Sequence, residues 1–67
     1  MIDKKLKVKI VHYNNFVDTF MIDDYIFLQG HLFIYVFYKS YRAKIALDNY
    51  SYKNVFIISN KKTIKIF

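Results

Sequence analysis

At 67 residues, with no cysteine and a net charge of +6, the chain is a single small domain (residues 1–67) that folds without disulfides or a Cys-based zinc site. A domain this short buries only about 60% of the surface its unfolded chain exposes, and the composition answers that limit with 55% hydrophobic and 21% aromatic residues. Seven Phe, seven Tyr and ten Ile exceed what so small an interior holds, so part of this apolar surface is expected outside or against a partner.

Residues 4–13 alternate with a period of two. Leu6, Val8, Ile10 and His12 share one face, and Lys5, Lys7 and Lys9 the other, the pattern of a half-buried strand with a basic outer side. Asn14-Asn15 follows, and asparagine tolerates the positive φ of a two-residue hairpin turn. Residues 16–23 alternate again, with Phe16, Phe20 and Ile22 on one face and Asp18 an exception at the same parity. Asp23-Asp24 then breaks the phase, which predicts a bulge or bend through which one long strand serves two sheets. Gln29-Gly30 is the next turn, with glycine supplying the positive φ.

Residues 32–38 form an unbroken apolar and aromatic run, read as the central strand. Leu32, Ile34, Val36 and Tyr38 lie on one face, and Phe33, Tyr35 and Phe37 on the other, so both faces are expected to be covered. After a turn at Lys39-Ser40, Tyr41, Ala43, Ile45 and Leu47 alternate with Arg42, Lys44 and Ala46 in a second strand with a basic outer face. Residues 48–54 (DNYSYKN) are the one loop, with Asp and Ser favouring a turn or a short helical turn. Residues 55–59 form a short apolar strand, 60–62 a turn, and 63–67 a terminal strand.

The expectation is an all-β domain of five or six antiparallel strands, an SH3-like barrel or a strongly bent sheet, with one short helical turn near 48–54. The order of bent hairpin, hairpin, one-turn connector and final strand resembles SH3-like barrels. The phrase IALDNYSYKNVFII, residues 45–58, resembles the small β-proteins encoded by phages and plasmids of low-GC bacteria, where an apolar-Leu-Asp-Asn ending runs into a last apolar strand. That resemblance implies a binding protein of a mobile element, at work in the cytoplasm of a bacterial host. The longest apolar stretch, residues 25–38, is 14 residues broken by Gln29, Gly30 and His31, whereas a membrane helix needs about 20. Asn14, Asn15 and Asp18 interrupt any signal-peptide core behind the N-terminal lysines, so no membrane association is expected.

Two surfaces are candidates for function. Lys5, Lys7 and Lys9 on the first strand and Arg42 and Lys44 near the middle of the chain make a five-cation patch if their faces are adjacent, able to hold the backbone of DNA or RNA. They serve equally as a solvated outer face. Phe33, Tyr35 and Phe37, with Tyr25 and Phe27, form an aromatic face that is either core or a protein-binding surface. The Lys-rich, Ile/Asn/Tyr/Phe-rich composition also matches an AT-rich coding sequence, which raises basicity by itself. No enzyme is expected: Asp23-Asp24 lacks a partnering base or nucleophile, and His12 and His31 read as structural histidines without a metal or other cofactor. The leading reading is a binding module that occupies a surface of a host protein or protein–nucleic-acid complex, as an anti-CRISPR-type inhibitor does. The alternative is a small nucleic-acid-binding domain. A strand apolar on both sides further implies a homodimer unless a partner takes that face.

Overall fold

The structure, a computed structural model, describes residues 6–38 and 40–67. These residues form seven strands: β1 (Leu6–Val11), β2 (Val17–Ile22), β3 (Asp24–Leu28), β4 (His31–Tyr38), β5 (Tyr41–Leu47), β6 (Asn54–Ile58) and β7 (Thr63–Lys65). All pairings are antiparallel, in one sheet of order β2-β1-β6-β7 and a second of order β3-β4-β5. The described residues contain no helix, and the two sheets do not close into a barrel.

Seven strands stand where five or six are expected because the second long strand is cut in two. Asp24 pairs with Tyr35, while the Asp23 N–H also donates to the Tyr35 carbonyl at 2.7 Å. Two residues thus oppose one, a β-bulge, and the strand leaves the first sheet after Ile22 to enter the second at Asp24. Both sheets then turn one face toward a common interior. That interior is aliphatic: Val8, Ile10, Val55, Ile57 and Ile22 from the first sheet meet Leu32, Ile34 and Leu47 from the second. No aromatic side chain among those described, which leaves out that of Tyr38, is fully buried; Tyr25, Tyr52 and Phe67 pack on the core from its rim. Sheets packed face to face leave about 10 Å between backbones, a gap that compact aliphatic side chains fill from both sides.

The turns explain the registers. The first hairpin has a three-residue loop rather than two: the Asn15 N–H donates to the His12 carbonyl, the His12 N–H to that of Phe16, and Asn15 takes the left-handed φ of 71°. Asp18, the exception at an inward position, lies 2.9 Å from His12 through Oδ2 and Nε2, and the His12 ring sits against Phe16 and Tyr52. In the second hairpin Gln29 and Gly30 both have positive φ, 52° and 79°, the signature of a type I′ turn. The segment 48–53 is a turn in which no continuous helix forms. Asp48 Oδ1 accepts the N–H groups of Tyr50 and Ser51 at 3.0 and 2.9 Å, and a single longer bond runs from the Tyr52 N–H to the Asp48 carbonyl. The turn at Lys39-Ser40 involves Lys39, which lies outside the described residues.

Two predictions follow from these turns. Gln29 pays for a left-handed backbone that asparagine or glycine adopts more readily, so Gln29→Asn or Gln29→Gly should stabilise the domain by about 0.5–1 kcal/mol. Gly30→Ala meets no atom within 4 Å but should destabilise by roughly 1 kcal/mol through φ alone; urea unfolding reads all three. The bonds that Asp48 accepts, chiefly from Ser51, hold its carboxyl below the ordinary carboxylate range against the opposing effect of desolvation. A group whose pKa is lowered on folding stabilises above its unfolded pKa and loses that contribution as pH falls through the folded value. Asp48→Ala should therefore be less stable than the parent at neutral pH, and the gap should narrow in strong acid. An unchanged gap in unfolding curves at the two pH values would refute this role.

Candidate functional site

The outer face of the β3-β4-β5 sheet carries three exposed apolar side chains, Ile26, Leu28 and Phe37, beside two cations. Register fixes which residues share it. Leu32, Ile34 and Val36 of β4 point inward, so Phe33, Tyr35 and Phe37 point outward. Opposite them on β3 stand Ile26 and Asp24, and on β5 stand Ala46, Lys44 and Arg42. Ile26, Leu28 and Phe37 are 48%, 59% and 67% exposed, far beyond what core packing requires.

The two cations cover two of the rings. The Arg42 guanidinium lies 4.5 Å from the Tyr35 ring centre and donates through Nη2 to Asp23 Oδ2 at 3.1 Å. Lys44 Nζ lies 4.6 Å from the ring centre of Phe33, and the His31 ring stacks with the same ring at 6.4 Å between centres. Both contacts have the geometry in which a ring quadrupole attracts a cation. The bulge supplies the carboxylate that holds Arg42, so the feature that passes the strand between sheets also fixes this charge. Phe37 remains open and, with Met21, Ile22 and Asp23, lines a depression of about 240 Å³ beside the bulge.

The expected residue sets are rearranged. Tyr25 and Phe27 pair with Ile34 and Leu32, so they lie on the opposite side of β3 from the face of Phe33, Tyr35 and Phe37; Tyr25 packs against the core there, and Phe27 is exposed. The register breaks their grouping because β3 and β4 pair one odd residue with one even residue. Lys7 and Lys9 project from the outer face of the other sheet, opposite Ile58 and Phe56, so they do not join Arg42 and Lys44 in one patch. Lys5 lies outside the described residues. Ile26 and Leu28, missed as surface residues, carry the signal of an edge strand that is apolar on both faces. Among the described residues no three His or Asp side chains gather around a common metal position.

Compared with protein-family models, curated proteins and solved structures, the chain matches none of them.

A residue that serves binding leaves folding almost unchanged. Phe37→Ser should alter stability by less than about 0.5 kcal/mol, whereas Ile34→Ala, three positions earlier on the same strand, should cost about 2–5 kcal/mol. Denaturant titration of the two variants checks the contrast, and a large loss from Phe37→Ser would return that ring to the core.

Proposed function

We propose that this chain is a non-enzymatic binding module that occupies a surface of a larger protein with the outer face of β3-β4-β5. The observation that carries the reading is the exposure of Ile26, Leu28 and Phe37 on one face of the sheet, beside the rings of Phe33 and Tyr35. Aromatic and Arg side chains of this kind dominate the energetics of protein interfaces. The depression beside Phe37 accepts an apolar anchor from the partner, and Lys44, with no carboxylate opposite it in the β4–β5 register, meets an acidic group at the rim.

This face suits protein better than nucleic acid. Arg42 is already paired with Asp23, and that ion pair holds its guanidinium over the face of Tyr35 on which a base would stack. The element order resembles that of SH3-like barrels, and residues 45–58 resemble phage and plasmid β-proteins, which makes a cytoplasmic protein of a low-GC bacterial host the partner class. Inhibition of a host defence or takeover of a host protein is the corresponding outcome.

Affinity capture from such a lysate at physiological salt should yield a stoichiometric protein with the parent chain and lose it with Phe37→Ser or Ile26→Ser. Capture that ignores both substitutions, or no stoichiometric partner, sinks the proposal. Sedimentation equilibrium supplies the other arm: a dimer of the 8.2 kDa chain that dissociates on Phe37→Ser would make the occupant a second copy.

A further inference from the structure

The opposite face of the sandwich has a different chemistry. In the β2-β1-β6-β7 sheet, Val8 and Ile57 are buried, so the residues between them point outward. Register lays these out in rows across four strands: Met21, Lys7, Ile58 and Thr63 in one row, and Thr19, Lys9, Phe56 and Lys65 in the next. No carboxylate stands in either row. Asp18, the one acidic residue of this sheet, opposes the buried Ile10 and is held by His12. Lys61 and Lys62 are exposed in the turn that joins β6 to β7. This turn flanks a depression of about 170 Å³ lined by Lys7, Met21, Ile58, Ser59 and Asn60.

We infer that this face binds single-stranded nucleic acid, with Lys7, Lys9 and Lys65 on phosphates and Phe56 under a base. Charge complementarity selects a polyanion: three lysines on a carboxylate-free face, with two more in the adjoining turn, leave nothing within the face to neutralise them. Strand geometry sets their spacing. Lys7 and Lys9 lie roughly 7 Å apart along β1, and Lys9 and Lys65 roughly 10 Å apart across β6. The half-buried Phe56 ring lies between Lys9 and Lys65, a ring flanked by cations on a sheet surface. Such a platform suits an unpaired base with its phosphates on either side, whereas a duplex offers no free base face to a flat sheet. Lys9 Nζ now lies 5.6 Å from the Phe56 ring centre. Unlike Arg42, it makes no ion pair among the described residues, so it can swing to a phosphate and leave the ring open.

This site is separate from the protein-binding face, and the two readings fail separately. Together they fit a partner that is itself a protein–nucleic-acid complex, gripped from the two sides of one small sandwich.

The test is fluorescence anisotropy of a labelled single-stranded oligothymidylate over a salt series. Three phosphate contacts predict a log–log slope of about −2, rising to roughly −3.5 if the two turn lysines also engage. Lys7→Gln, Lys9→Gln and Lys65→Gln should each reduce the slope by about 0.7. Phe56→Leu should weaken binding at least about fivefold with the slope unchanged. The double substitution Arg42→Gln and Lys44→Gln removes as much charge from the other sheet and should leave the slope unaltered. Three results would overturn the inference: no binding, a slope that follows the Arg42/Lys44 pair and not the sheet lysines, or equal binding of duplex and polyglutamate with no effect of Phe56→Leu. The lysine variants change exposed or half-exposed side chains and keep the test valid even if Phe56→Leu perturbs folding.

Discussion

The bulge at Asp23 and Asp24 is the constraint on which the rest of the structure depends. A small chain of antiparallel strands has to bury one face of a sheet against something, and a single flat sheet of this length has no second layer to offer. Placing two residues opposite Tyr35 lets one strand leave the β1 side and continue beside β4. The two sheets then face one another. Two adjacent carboxylates suit the position, because the bulge sends their side chains toward solvent, where Asp24 Oδ1 accepts the Tyr25 N–H and Asp23 takes Arg42. The same two residues thus break the ladder and anchor the charge of the neighbouring strand.

The interior that results is aliphatic. Eight aliphatic residues fill it, each worth about 1.5–3 kcal/mol on burial. Strand register puts aliphatic residues at the inward positions of β1, β4 and β6 and Phe33, Tyr35, Phe37 and Phe56 at the outward ones, so these rings lie outside. This is why a chain rich in Phe and Tyr shows so much of them at its surface. The rim rings still contribute: Tyr52 and Phe16 lie against the His12 ring of the His12–Asp18 pair, and the Tyr13 hydroxyl ties the first hairpin to the Asn49 carbonyl at 2.6 Å.

The two outer faces differ in what becomes of their cations. On β4 and β5 the charges lie over rings, and one is paired with a carboxylate, so the face is apolar with charge at its margin. On β1, β6 and β7 Lys9 also lies near a ring, but none of the lysines has a carboxylate in its row. A surface of the first kind gains most from desolvation by a packed partner. One of the second kind gains most from releasing counterions, because its charges attract anions at long range.

Much of this was written in the sequence, and local chemistry is the reason. Alternation placed Val8, Ile10 and Lys7, Lys9 on opposite sides of β1; Gln29-Gly30 marked a tight turn; and Asp23-Asp24 marked the break in phase. Each is a matter of nearest neighbours along the chain and of the period of an extended backbone. Where both parities of a strand are apolar, as in β3 and β4, the period does not say which side is inside. That was decided by pairing: β5 has one mixed and one apolar face, and its register with β4 puts Arg42 and Lys44 beside Phe37 and Tyr35 and turns those rings outward. Pairing also decided that Lys9 neighbours Lys65 across Phe56 and lies on a different sheet from Lys44. Those neighbours are far apart in sequence, and only the pairing of β6 with both β1 and β7 brings them together.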